Sequence, residues 1–223
     1  MSQLFTPFKL RNVTFKNRVF VSPMCQYSSD NGLPTDWHMV HLGSRAVGGA
    51  AMVMVEATAV NPVGRISPGD SGLWSQDHAN AFARITRFIR ENDAVPGVQL
   101  AHAGRKGSTD APWHGGQPLP PEKGAWQPVA PSAIPFDTGH PVPREMTSAD
   151  IDQLVADFVT STKLSKDAGF EVIELHMAQG YLLHEFLSPR SNHRSDSYGG
   201  SFDNRIRLPM RIAGEVRKVS PRV

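Results

Sequence analysis

Apolar and polar positions along the chain alternate between two periods. Residues 51–57, Ala-Met-Val-Met-Val-Glu-Ala, are apolar almost throughout, the pattern of a parallel strand covered on both faces. After them Ala79, Phe82, Ile85, Phe88 and Ile89 recur at helical spacing, which predicts a helix over 77–90. Reading outward from this pair, Phe8-Lys9-Leu10 and Val13-Thr14-Phe15 flank Arg11-Asn12 and predict a hairpin. A short strand over 19–24 contains Pro23, which pushes Ser22 to an extended conformation. A helix over 36–47 ends at Gly48-Gly49. A third strand covers 97–101 after Pro96, and Thr147-Ser148-Ala149-Asp150 opens a helix reaching 167 with a capping-box pattern. A fourth strand over 171–176, a helix over 181–187 and a helix over 202–219 follow. The stretch 104–144 is rich in Pro, Gly and Trp; so long a loop is a functional segment or a lid, with Trp113 and Trp126 as packing anchors.

A strand-then-helix order repeated four times implies parallel pairing through right-handed crossovers. Two architectures satisfy it: a doubly wound open sheet, or a (β/α)₈ barrel, which takes eight units and about 250 residues. Four units in 223 residues are either a small open sheet or the first half of a longer barrel.

Composition narrows the function classes. A net charge of +2, from 23 basic and 21 acidic residues, gives no footprint for nucleic acid. The longest apolar run, 48–60, is interrupted by Glu56 and is shorter than the roughly 20 residues of a membrane span. The single cysteine, Cys25, forms no internal disulfide and fits a reducing, cytoplasmic setting, and Met1-Ser2-Gln3-Leu4-Phe5 has no secretory pattern.

In parallel α/β folds the site forms at the C-terminal ends of the strands. All four predicted strands carry polar groups there: Cys25-Gln26-Tyr27, then Glu56 and Thr58, then Gln99 and His102, then Glu174 and His176. Cys25 is a small buried hydrophobe or, after Pro23-Met24 at a strand tip, a site group. Tyr27 is a core aromatic or a donor in the mouth of the site. His102-Ala103-Gly104-Arg105-Lys106 is a solvated basic turn or a holder of an electron-rich ligand. In His176-Met177-Ala178-Gln179-Gly180-Tyr181, His176 and Gln179 can share one ligand oxygen and polarise it, and Tyr181 can deliver a proton; the alternative is a satisfied core histidine. Glu56 and Glu174 are expected to pair with buried cations. No metal site is expected, because His-x-His and His-Glu-x-x-His are both absent, and no Gly-x-Gly-x-x-Gly or Walker pattern occurs. The loop 191–205, dense in Asn, Arg, Ser, Asp and Gly, reads as a structural loop whose Ser201 caps the next helix.

Several motifs in order resemble the old yellow enzyme family of FMN-dependent ene-reductases, in its bacterial xenobiotic-reductase-like branch. They are Leu4-Phe5-Thr6-Pro7, Ser22-Pro23-Met24-Cys25-Gln26-Tyr27, Asp36-Trp37-His38, Val55-Glu56-Ala57-Thr58, Gln99-Leu100-Ala101-His102-Ala103-Gly104-Arg105-Lys106, Glu174-Leu175-His176, Gly180-Tyr181-Leu182-Leu183-His184-Glu185-Phe186-Leu187-Ser188-Pro189 and Tyr198-Gly199-Gly200-Ser201. The resemblance implies the first half of a (β/α)₈ TIM barrel: residues 1–223 as the N-terminal part of a single FMN-binding domain, about four βα units behind an N-terminal hairpin. It implies that Ser22, Pro23, Met24 and Cys25 line the flavin, with Cys25 tuning its redox behaviour. Ala57 and Gln99 would meet the pyrimidine end, and His176 would reach flavin and substrate. Tyr27, Lys106 and Gln179 would border the substrate, with Tyr181 as proton donor. The implied reaction is ping-pong: NAD(P)H reduces FMN, which then reduces electrophilic alkenes, α,β-unsaturated carbonyl or nitro compounds. The implied full-length protein is a homo-oligomer.

Two departures from the family pattern stand out. The family has His or Asn where this chain has Gln179. Its later strands also supply an arginine near the flavin and a phosphate cup, roles not carried over to Arg222. The expectation is therefore an incomplete copy; if these 223 residues are all there is, FMN binding is expected to be weak and the chain to associate or be unstable, and the alternative function is a non-catalytic truncated fragment or scaffold unable to hold FMN.

Overall fold

A computed structural model describes residues 2–220; the expected fifth strand and Arg222 lie outside the described residues. The hairpin is β1 (Phe8–Leu10) and β2 (Val13–Phe15), antiparallel with Phe8 opposite Phe15, and Arg11 takes the turn at φ 52°. Next come β3 (Phe20–Val21), α1 (Asp36–Val47), β4 (Met52–Ala59), α2 (Gln76–Glu91) and β5 (Val95–Ala101). The long segment after β5 carries only β6 (Val129–Ala130) and β7 (Arg144–Glu145), paired with each other in parallel, and three short 3₁₀ turns. Then follow α3 (Ser148–Asp167), β8 (Val172–Leu175), α4 (Leu182–Leu187), α5 (Phe202–Arg205) and α6 (Arg207–Val219).

The main sheet has the order β3-β4-β5-β8, every pair parallel. Neighbours in the sheet follow chain order with no reversal, so there is no switch point of the doubly wound kind. The helices lie side by side in the same order, α1 against α2, α2 against α3 and α3 against α6. One continuous helical layer over one face is the arrangement of a barrel wall, not of an open sheet covered on both sides.

Strand alternation assigns the two faces. Val53, Val55, Val98 and Leu100, each fully buried, point into the main core with Phe82, Ile85, Ile89, Ile151 and Phe158 from the helices. Burying one such aliphatic side chain is worth about 1.5–3 kcal/mol, which fixes the register of the strands against the helix layer. The opposite face carries Phe20, Met52, Met54, Val172 and Glu174 around a cavity of about 340 Å³ bordered by the hairpin. The hairpin closes the N-terminal end of the sheet by packing Phe15 with Ala51 and Val95.

Some predicted boundaries move. The first strand shrinks to two residues, because Asn17 accepts from the Val19 N–H at 2.9 Å on one side and Pro23 has no N–H to offer on the other. The last predicted helix breaks at Ile206, since Pro209 has no N–H for the carbonyl of Arg205. The capping box at Thr147 and Asp150 forms in both directions, and Ser201 caps α5 through the Asn204 N–H. Loop 191–205 is internally bonded: Asn192 donates to the carbonyls of Phe186 and Tyr198, each at 2.8 Å.

Candidate active site

The C-terminal ends of β3, β4, β5 and β8 surround an open cleft of about 420 Å³ lined by Ser22, Pro23, Cys25, Ala57, Gln99 and His176, with Glu174, Ala178, Gln179 and Tyr181. A β-bulge between Val55 and Ala57 shapes its floor. Val55 faces Val98, but the next pair is Ala57 with Gln99, so Glu56 is the extra residue. The bulge turns the Glu56 carboxylate into the wall, where Ser71 donates to it at 3.1 Å, the Gln26 N–H at 3.2 Å, and His38 Nε2 lies 3.5 Å away. The expected cation partners are thus corrected: Glu56 is held by a histidine, a serine and a backbone N–H, and Glu174 accepts the side-chain N–H of Gln99 at 2.6 Å.

The turn after β8 is built to present two side chains. The His176 N–H donates to the Leu100 carbonyl at 2.9 Å and the Leu182 N–H to the His102 carbonyl at 3.0 Å, tying both ends of the turn to β5. Between them Gln179 sits at φ 59° and Gly180 at φ 77°. A left-handed glutamine costs roughly 1 kcal/mol and persists only where neighbours enforce it. Lys106 does so by donating to the Gln179 carbonyl at 3.1 Å. Tyr181 emerges as the residue capping α4, its ring edge-on to His176 with centroids 4.9 Å apart. The Lys106 ammonium lies 4.6 Å from the Tyr181 ring centre and 5.0 Å from that of Phe136.

Burial controls the protonation states. It pushes the Tyr181 phenol up to about 12, helped by Cys25 and Asp70, so the group holds its proton at neutral pH. It pushes the Cys25 thiol up to about 12 as well, with Asp70 and Glu56 adding to the effect. His176 is lowered, chiefly by burial, and Tyr27 is raised for the same reason. The result is a neutral imidazole with one N–H to give, a phenol with one O–H to give, and a thiol rather than a thiolate, all at one mouth.

The remaining sequence candidates divide. Tyr27, at φ 50°, packs edge-on to Trp113 at 5.3 Å and lines, with Lys106, Phe136 and His140, a neighbouring cavity of about 250 Å³. Met24 is exposed and does not line the cleft, though its carbonyl accepts from the Gln26 amide. Thr58 and His102 turn into the core, and burial lowers His102 to about 3. Among the described residues no group of three His, Cys, Asp or Glu side chains gathers around a metal position, and no helix is long and apolar enough to cross a membrane. Asp70 and Ala178 escaped the sequence reading. Asp70 stands between Gly69 and Ser71, where an aspartate signals only a turn.

A family profile described as the NADH:flavin oxidoreductase / NADH oxidase family matches residues 3–222. The chain is 47% identical over 228 residues to an NADH:flavin oxidoreductase of Gibberella zeae, covering 99% of this chain and 55% of that protein. It is 45% identical over 219 residues to the NADPH dehydrogenase of Bacillus subtilis, covering 97% of this chain and 60% of that protein. The structure of the old yellow enzyme homologue from Zymomonas mobilis superposes with a TM-score of 0.84 at 29% identity, over 98% of this chain and 60% of that one. The chain thus spans 55% and 60% of the length of these two curated relatives, and its sheet is part of a (β/α)₈ barrel. On these matches, and with the motifs already set out, the chain belongs to the NADH:flavin oxidoreductase / NADH oxidase family, that of the old yellow enzymes.

Proposed function

We propose that the protein is an NAD(P)H-dependent flavin oxidoreductase that reduces activated C=C bonds in α,β-unsaturated carbonyl or nitro compounds. The observation that carries this reading is the pairing of a protonated Tyr181 with a neutral His176, edge-on at 4.9 Å, over one cleft.

The cleft residues fit a bound FMN. A cavity of about 420 Å³ is within the range of small-molecule sites, roughly 300–1,000 Å³. Pro23 and Ala57 offer apolar contact to a flat ring, and the backbone and side chain of Ser22 offer polar contact at its edge. Gln99 gives its N–H to Glu174 and keeps its carbonyl oxygen for a ring N–H. Bound FMN would supply the two-electron hydride chemistry that links NAD(P)H to the alkene in ping-pong order.

The chain's own residues supply the rest. His176 donates its N–H to the carbonyl or nitro oxygen, where negative charge grows as the β-carbon is reduced. One such preorganised donor lowers a barrier by about 3 kcal/mol. Tyr181 gives its O–H proton to the α-carbon, a step for which an acid kept protonated at neutral pH is required. Lys106 holds the turn that carries Gln179 and places its charge beside the Tyr181 ring.

The test is anaerobic half-reaction kinetics on the FMN-loaded protein. NADPH or NADH is expected to bleach the flavin band, and 2-cyclohexenone or a nitroalkene to restore it. A protein that takes up no FMN, or whose reduced flavin ignores such alkenes, refutes the reading.

A further inference from the structure

A second and much smaller cavity shares Ala57, His176 and Tyr181 with the open cleft. It is enclosed by Ala57, Ala59, Gly64, Ile66, Ala101 and Ala103 and closed by Asp70, His176 and Tyr181, with a volume of about 10 Å³. That is the space of a single water molecule. Its wall is apolar apart from the three closing side chains.

Asp70 is the anomaly in this wall. It is only 2% exposed, and Oδ2 accepts the Ile66 N–H at 2.6 Å. Its other oxygen, Oδ1, is buried and has no partner among the described residues. A buried carboxyl oxygen left unbonded carries a desolvation penalty that one bound water removes. The charged and titratable groups that act on Asp70 are Arg65 and Glu56, and Asp70 in turn acts on Cys25, Tyr27 and Tyr181. His176 closes the same cavity.

We propose that this cavity binds one water molecule anchored by Asp70 Oδ1, and that Asp70 passes a proton through it to Tyr181 while Tyr181 gives its own proton to the substrate. The inference rests on the proposed alkene reductase activity and names the source of the proton that replaces the one Tyr181 gives up. The balance is simple. As Tyr181 loses its O–H proton to the α-carbon, its oxygen is reprotonated in the same step. The water gives a proton to that oxygen and takes one from the Asp70 carboxyl, which becomes carboxylate. When product leaves, the cleft opens to solvent and the carboxylate recovers its proton from bulk water by the same route. The direction is downhill: burial places Asp70 at about 7, whereas Tyr181 stands at about 12. A proton stored behind the donor matters most while substrate covers the cleft and shuts Tyr181 off from bulk water. Asp70 is a positioning residue here, since it reaches the substrate only through Tyr181.

Two independent measurements test the proposal. A high-resolution crystal structure of the protein is expected to show a water bridging Asp70 and Tyr181; an empty cavity overturns it. Stopped-flow half-reactions then compare Asp70→Asn, Tyr181→Phe and the double variant, all loaded with FMN. Asp70→Asn keeps an acceptor for the Ile66 N–H but has no proton to give. Reoxidation by 2-cyclohexenone is expected to slow about tenfold or more in Asp70→Asn, at the low end of what general acid catalysis contributes. The double variant is expected to be no slower than Tyr181→Phe alone, as for two residues acting in one chain. The slowing is expected only in reoxidation, because flavin reduction by NADPH uses no proton from Tyr181. A merely structural defect would slow both half-reactions. Should Asp70→Asn fold poorly, Ala59→Val fills the cavity, leaves the carboxyl in place and is expected to slow reoxidation likewise. Unchanged reoxidation in Asp70→Asn, or fully additive losses in the double variant, overturns the proposal. If wild-type protein reduces no alkene at all, the activity reading fails, and the crystallographic water still decides the site.

Discussion

Lys106 fastens the backbone of Gln179 by a 3.1 Å hydrogen bond from its ammonium to the Gln179 carbonyl, across 73 positions of sequence. The bond stabilises a left-handed residue at the rim of the cleft and so sets where the Gln179 side chain enters it. Glutamine at this point has an N–H to share with His176 but reaches further than histidine. Gln179→His is expected to change KM for cyclic enones about two- to tenfold, the worth of one neutral hydrogen bond, while the dissociation constant for FMN stays nearly constant. Steady-state kinetics on several enones beside a flavin titration checks this. Identical constants in both proteins would show that position 179 does not touch substrate.

Tyr181 has a sharper expectation. Removing its hydroxyl leaves the edge-on contact with His176 and the cation above the ring in place. Tyr181→Phe is therefore expected to fold, to bind FMN as before and to be reduced by NADPH at the wild-type rate. Reoxidation by an enone is expected to fall by about 10²–10⁴, the usual share of a general acid. Equal reoxidation rates would remove Tyr181 from the chemistry.

The sequence reveals the frame of this site better than its interior. The α1 span is legible, because Gly48-Gly49 ends the helix, and the structure adds Thr35 as the residue at its N-cap. Cys25, Gln99 and His176 could be placed at or near the C-terminal ends of their strands, since polar residues interrupt each apolar stretch there. Glu56 was not readable in the same way: a one-residue bulge decides which face it takes, and nothing in Val55-Glu56-Ala57 announces it. Asp70 was less readable still. Its importance lies in an apolar cavity assembled from β4, β5 and two loops, and no local pattern encodes such a juxtaposition. The break at Ile206 was within reach, because Pro209 stands in plain view three residues later.

A second buried carboxyl makes stability depend on pH. Glu185, on α4, is 1% exposed; Oε1 accepts the Arg105 N–H at 3.0 Å and Oε2 has no partner among the described residues. Burial raises it from 4.5 to about 8, against smaller opposing effects of Arg105 and Lys106. Between those two values the unfolded chain releases the proton while the folded protein keeps it. Stability is therefore expected to decline as pH rises from about 4.5 to about 8, and to level off above. Asp70 adds a decline of the same sign between 3.8 and about 7. Urea midpoints across this range are expected to show a shallower slope in Glu185→Gln than in wild type. A parallel curve would mean that Glu185 ionises as readily folded as unfolded.

The helix that leads into the His176 strand depends on a small polar device at its start. The Asp150 N–H donates to Thr147 Oγ1 at 3.2 Å, and the Thr147 N–H donates back to the Asp150 carboxylate at 2.7 Å. Arg144 adds a 2.7 Å contact to the same carboxylate and holds it well below the usual range. Thr147→Ala removes one side of this exchange and is expected to cost about 1 kcal/mol, which lowers Tm by about 2–4 °C in a chain of this size. Asp150→Ala removes the other side together with the Arg144 pair. Because both act on the same helix end, the double variant is expected to lose less than the sum of the two. The cap is also expected to weaken in acid, as pH falls from the ordinary aspartate value of 3.8 towards the lowered folded one. Thermal melts of the four proteins at neutral pH and at pH about 3 measure all of this. Strictly additive losses would show that Thr147 and Asp150 stabilise α3 separately and that the reciprocal pair has no energy of its own.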